Sequence, residues 1–154
     1  MQTLEEAKAW LRARLKDGAE CPCCEQYARM YKRKLNSNMV AFLIDLVRLS
    51  ERAGWAWISY TSCRFTGRDY NYLQHWGLAI TQRENEKDKS HSGLWQPTQL
   101  GVDFVYGKVS VDSHILVYDN RKYGTPPQSK PIDVFTALGK KFSYAELMGH
   151  NIGV

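Results

Sequence analysis

The stretch "NMVAFLIDLVRLSER", residues 38–52, limits the fold more than any other part of the chain. Met39, Val40, Leu43, Ile44, Leu46 and Val47 are spaced so that a helix through them is apolar over most of its circumference, and such a helix has to be buried. Ser37 is placed to cap its start and Gly54 to end it. A chain of 154 residues is long enough to fold as one compact domain with a real core, and 44% hydrophobic content with 12% aromatic residues is ordinary for a globular protein. There is no internal repeat, and no apolar run approaches the roughly 20 residues of a membrane span. The opening segment, "MQTLEEAKAWLRARLKDG", is amphipathic with acids near its start, unlike a secretory signal, so no membrane is expected as a partner and the expected compartment is the cytoplasm.

The opening segment itself predicts a helix. Thr3 and Glu6 have capping-box spacing, Leu4, Ala7, Leu11 and Leu15 recur at helical spacing, and Gly18 offers a stop. After the cysteine cluster, "EQYARMYKRKL" predicts a short basic helix with Tyr27, Met30 and Tyr31 on one side and Arg29, Lys32, Arg33 and Lys34 around the rest. "WAWISY" reads as a short strand, and "TGRDYNYLQHWGL" returns to helical spacing, with Tyr72 and Trp76 four apart and buried. "LAITQ" follows as a strand. The polar run 83–92 before Gly93 predicts an exposed hairpin tip leading into the strand "LWQPT", after which Thr98 can cap the helix "QLGVDFVYG". In the last third, residues 109–119 read as two short strands and "TPPQSKP" as a loop. Pro131 suits the first turn of a helix ending near Gly139, and Ser143 can cap another through Glu146.

Helix, short strand, helix, strand, charged hairpin, strand, helix is the order of a winged helix. "YLQHWGLAI" followed by "SGLWQPTQLGVDFVYG" resembles the helix-to-wing region of that family, where an element like W-x-L-T-x-x-G closes the wing. Pro97 stands where the pattern has an aliphatic residue, so the strand is expected to end early. Together with "CPCC" and "YKRKLNS", these pieces also resemble small proteins encoded by phages and prophages, over residues 20–107. The expected fold is therefore α+β: a winged helix-turn-helix core over 36–107, preceded by an N-terminal helix, the CPCC turn and the basic helix over 1–35, and followed by a C-terminal α/β extension over 108–154. All of it forms a single domain.

The charge balance, 21 Lys and Arg against 16 Asp and Glu, gives +5 and favours an anionic partner. On the proposed reader helix Arg68, Asn71, Gln74 and His75 are the polar positions, and Arg, Asn and Gln are the side chains that pair with guanine and adenine edges in a major groove. Asp69 opposes that role unless it pairs with Arg68 or accepts from cytosine. In the wing, Arg83, Lys87, Lys89 and His91 could reach phosphate, although Glu84, Glu86 and Asp88 nearly cancel the local field. Arg29, Lys32, Arg33 and Lys34 form the denser basic cluster and are expected to hold phosphate. A solvated face is the rival explanation for all three.

Cys21 and Cys24 form a C-x-x-C pair whose thiolates could meet one tetrahedral zinc, with Cys63 as a third ligand and Cys23, His75 or another histidine as a fourth, or with the ion shared by two chains. Plain reduced thiols, a disulfide or a redox role are the alternatives. Enzyme signatures are lacking: there is no P-loop, no G-x-S-x-G and no H-E-x-x-H, and His75, His91, His114 and His150 are scattered. Asp119, Asn120 and Arg121 read as a turn. The expected function is that of a non-catalytic DNA-binding regulator acting on double-stranded DNA, with a homodimer as the habit of such readers. The alternative is a phage-encoded protein-binding module that redirects a host complex, such as transcription or a nucleic-acid-targeting defence, through Trp55, Trp57, Trp95, Tyr70, Tyr106 and Tyr118.

Overall fold

The computed structural model describes residues 3–14, 17–24, 27–67, 69–83, 91–118 and 121–149, and they form an α+β fold. Its centre is the helix expected from the apolar stretch, α2 (Ser37–Arg52), in which every residue from Met39 to Val47 is buried, Asp45 included. The cap lies one residue earlier than expected. Asn36, with extended backbone, accepts the Met39 N–H at 2.9 Å, while its amide donates to Asp69 at 2.9 Å. Asn36 thus closes the helix and ties it to a distant segment, which Ser37 is too short to do.

Before α2 come α1 (Leu4–Arg14), β1 (Ala19–Glu20), β2 (Tyr27–Ala28) and β3 (Tyr31–Lys34). Glu6 N–H donates to Thr3 Oγ1 at 3.1 Å, one half of the expected capping box. The short basic helix expected over "EQYARMYKRKL" does not form; its described residues include the strands β2 and β3. Intrinsic preference is overruled by pairing, because β2 finds β1 and β3 finds β8 (His114–Tyr118) as antiparallel partners.

After α2 the chain runs through β4 (Ile58–Ser59), two 3₁₀ segments, η1 (Tyr60–Ser62) and η2 (Tyr70–Trp76), then β5 (Ala79–Arg83), β6 (His91–Pro97) and α3 (Gln99–Val105). The remainder is β7 (Val111–Asp112), β8, β9 (Arg121–Lys122), β10 (Pro131–Ile132), α4 (Val134–Leu138) and α5 (Tyr144–Gly149). The described strands make two three-stranded antiparallel sheets, in the orders β4–β6–β5 and β3–β8–β9, and two pairs, β1–β2 and β7–β10. β6 ends at Pro97, one residue before the end of the strand read over "LWQPT", and Pro97 pairs with Ala79 as its last residue. One further expectation is corrected. Pro131 sits in β10 rather than in a helical turn, and α4 starts beyond it, capped by Asp133, which accepts the Thr136 N–H at 2.8 Å.

One core joins these pieces. Phe42, Leu43, Ile44 and Leu46 of α2 meet Leu73, Leu78, Trp95, Phe104, Ile115, Leu138 and Leu147 from all sides. Trp95 is wholly buried, its ring edge-on to Phe42 at 6.2 Å and to Tyr70 at 5.5 Å. The start of α3 lies against the chain entering β5: Thr98 caps it, accepting the Gly101 N–H at 3.0 Å, and a Cβ at Gly101 would fall on the Leu78 carbonyl oxygen. Only glycine permits that approach. Between η1 and η2, Arg64 clamps the loop to α2, its backbone N–H and its guanidinium donating to the buried Asp45 carboxylate at 2.7 to 3.0 Å.

Candidate nucleic-acid interface

The segment expected to read a groove, η2, is a 3₁₀ helix, with three residues per turn, so side chains three apart stand in rows. Leu73 and Trp76 form the buried row, in place of the Tyr72 and Trp76 pair that α-helical spacing predicts. Trp76 is fixed by its indole N–H, which donates to the Asp112 carbonyl at 2.6 Å. Tyr72 is half-buried beneath the Arg33 guanidinium, 4.8 Å from its ring centroid, and packs beside His75. Of the expected readers, Arg68 lies outside the described residues. Asn71, Gln74 and His75 are each half-buried; Gln74 donates to the Asn71 carbonyl at 3.2 Å, and Asn71 Oδ1 is buried with no hydrogen-bond partner among the described residues. Asp69 is engaged by Asn36, so it does not depend on Arg68 for a partner.

Because β3 is a strand, its basic residues divide between two faces. Arg33 pairs across from Ile115 and turns toward η2, whereas Lys32 and Lys34 pair with Leu116 and His114 and point the other way. The cluster expected to act as one unit is therefore split. On the outward side Lys32 and Lys34 are exposed, and Lys130 joins them from the loop returning to β10. That loop is bound to β8: the Ser113 N–H donates to the Lys130 carbonyl at 2.9 Å, the His114 N–H donates to Ser129 Oγ at 3.3 Å, and the Lys130 N–H donates to Ser113 Oγ at 3.1 Å. Burial, then Lys34, Lys32 and Lys130, hold the His114 imidazole below its ordinary value. At the other end of the strand Arg29, Met30, Lys32, Leu116, Pro126 and Pro127 line an open groove of about 390 Å³.

In the hairpin expected as a wing, Arg83, the last residue of β5, is the register partner of His91, the first of β6, while Lys87 and Lys89 lie outside the described residues. Among the cysteines, Cys21 is half-buried and Cys23 and Cys24 are exposed on the turn between β1 and β2, where hydrogen bonds from Cys24 and then Cys23 lower the Cys21 thiol. Cys63 belongs to the core, and burial, aided by Asp45, pushes its thiol up to about 12. Among the described residues no three His, Cys, Asp or Glu side chains gather as a metal-holding group, so Cys21, Cys24 and Cys63 are not brought together as one. Asp119 and Asn120 lie outside the described residues, and Arg121 opens β9, exposed.

The aromatic residues considered for a protein interface also divide. Trp95 is core and Tyr70 packs on it, stacked against Tyr60. Trp57 and Tyr118 are half-buried. Tyr106 is 39% exposed with its hydroxyl donating to Glu51, and Trp55 is 44% exposed. Trp55 also holds a left-handed backbone, φ 66°, an unusual conformation for a bulky residue. Helical spacing gives no hint that His114, Lys130, Arg121 and Tyr123 are companions of Lys32 and Lys34. The usable signal is the two-residue alternation of Lys32 and Lys34 in "YKRK", which suits a strand with one basic face. No helix among the described residues is long and apolar enough to cross a membrane. No family model, curated protein or solved structure matches the chain.

Proposed function

We propose that this chain is a non-catalytic DNA-binding protein of winged-helix type, a regulator of the kind that phages encode. The observation that carries this reading is the order α2, β4, η1, η2, β5, β6, with β5 and β6 as antiparallel neighbours on the two sides of the charged sequence 84–90 and η2 directly before them. Arg33, Gln74 and His75 then face the duplex from the η2 side, and the wing supplies phosphate contacts through Arg83, Lys87 and Lys89. With half-buried readers on a 3₁₀ segment, backbone charge contributes more to affinity than base-edge pairing does. Zinc fits this reading as an ion shared between two chains, because the CPCC turn offers two of the four ligands a structural site needs.

The test is binding to a random duplex, followed by fluorescence anisotropy across a salt series. Wild-type protein is expected to bind with an affinity that falls steeply with salt. Lys87→Ala with Lys89→Ala should flatten the slope of log K against log salt by about 1.8, at ~0.9 for each phosphate no longer neutralised. An unchanged slope, or no duplex binding at low salt, removes the reading.

A second reading, a protein-binding module acting on a host complex, is favoured by one observation. Trp55 and Ile80 are each 44% exposed, and Gln96, the register partner of Ile80, donates to the Trp55 carbonyl at 2.6 Å. The outer side of the wing sheet therefore presents an anchored aromatic beside an aliphatic residue, the composition of an interface centre.

A further inference from the structure

The outward face of the sheet β3–β8–β9 has a chemistry that the duplex reading leaves unused. By register, Lys32 and Lys34 share this face with His114, Leu116 and Tyr118, and Arg121 joins it opposite Tyr118. Tyr123 donates its backbone N–H to the Leu116 carbonyl, which sets it on the same face, and its ring lies 6.1 Å from that of Tyr118. Tyr123 is 44% exposed. Among the described residues none of Arg29, Lys32, Lys34, Arg121 and Lys130 has a carboxylate partner; the ion pairs found there are Lys8 with Glu5 and Arg64 with Asp45. Five cations on or beside this face, with no acidic partner among the described residues, create a field that a polyanion satisfies.

Charge alone would suit any polyanion, but the groove narrows the choice. Met30, Leu116, Pro126 and Pro127 give it an apolar part and Arg29 and Lys32 add two cations to its lining, and about 390 Å³ is within the range of small-ligand sites. The apolar lining suits the flat face of a base, and the cations beside it suit the phosphates on either side. A duplex keeps its bases stacked inside; a single strand can present them. Sheets with exposed aromatic and basic side chains bind single strands in this way, stacking bases and tracking the backbone electrostatically. The loop carrying Pro126, Pro127 and Lys130 is already tied to β8 by the Ser113 and Ser129 bonds, so little ordering is left for the ligand to impose.

We propose that this face binds single-stranded nucleic acid, with phosphates along Lys32, Lys34 and Lys130 and a base seated in the groove over Leu116. This site lies on the side of β3 opposite Arg33 and η2, so it stands or falls independently of the duplex reading.

The experiment measures anisotropy of a labelled short oligothymidylate and of a duplex of equal length, each across a salt series, with inorganic polyphosphate as competitor. Wild-type protein is expected to bind oligothymidylate. Lys34→Ala with Lys130→Ala should weaken that binding at least tenfold and reduce its salt slope by about 1.4, at ~0.7 for each phosphate neutralised on a single strand. The charge-keeping pair Lys34→Arg with Lys130→Arg should retain binding, which separates lost charge from lost fold. The wing pair Lys87→Ala with Lys89→Ala should leave oligothymidylate unaffected, so that failure on duplex alone counts against the winged-helix reading and not against this one. No binding of oligothymidylate, equal binding by the alanine pair, or competition by polyphosphate as strong as by unlabelled oligothymidylate each overturns the proposal.

Discussion

The sheets β4–β6–β5 and β3–β8–β9 both have three antiparallel strands, yet they differ in what they present outward. In the first, the middle strand β6 delivers Trp95 into the centre of the core, against Phe42 and Tyr70. In the second, the middle strand β8 buries Ile115 and Val117 on one side and presents His114 and Tyr118, half-exposed, on the other; its edge strand β9 is two exposed residues. Both sheets are held by what they bury, the second through Ile115 and Val117. The second differs in its outer face, which carries Lys32, Lys34 and Arg121. Surface substitutions there should be cheap in stability and costly in binding, and core substitutions in the first sheet the reverse.

The largest effect expected is at Trp95. Trp95→Ala leaves a cavity between α2 and the sheet and should cost about 3–5 kcal/mol, read from the urea midpoint. The matching change in the other sheet, Tyr123→Ala, should stay within about 0.5 kcal/mol, since that ring is largely on the surface. Equal losses at the two sites would erase the distinction between the sheets.

The same contrast explains what is legible in the sequence. Elements that bury a periodic apolar set can be read directly: α2 from its apolar circumference, β5 and β6 from their bulky residues around a polar run, and α3 from Thr98. The basic strand β3 cannot, because "YKRK" has no apolar residue except Tyr31, and its strand character comes from pairing with β8, more than seventy residues away in the chain. The 3₁₀ segment η2 is hidden for a related reason. Apolar residues at both three- and four-residue spacing occur in "YNYLQHW"; the three-residue row Leu73 and Trp76 is the buried one, and Tyr72 is met by Arg33, which arrives from distant β3. The polar positions of this segment can be named from sequence, but their half-burial cannot.

A smaller effect tests how firmly the first sheet is seated. Gly101→Ala sets a methyl group against the Leu78 carbonyl, where α3 meets the chain entering β5, and neither backbone can yield without moving the other. The expected cost is about 1–3 kcal/mol, measured by the same urea titration. A gain in stability, as an alanine ordinarily brings inside a helix, would mean that α3 stands farther from the sheet than its approach to Leu78 requires.

The smallest effect lies on the second sheet and turns on the sign of one titration. His114 is held below its ordinary value of 6.5 by burial and by Lys34, Lys32 and Lys130, while Ser113 Oγ contacts its Nδ1 at 2.8 Å. The folded chain therefore takes up this proton at lower pH than the unfolded chain does. Above pH 6.5 both states are neutral at this site and nothing changes; as pH falls through 6.5 toward the folded value, protonation favours the unfolded state and stability declines. His114→Gln should remove that decline, so the urea midpoints of variant and wild type coincide above pH 6.5 and separate below it. Phosphates lying along the three lysines would offset the charge that depresses the imidazole, so bound oligothymidylate should move the His114 titration, followed by NMR, upward. An imidazole titration indifferent to the oligonucleotide would place any strand that binds away from Lys32, Lys34 and Lys130.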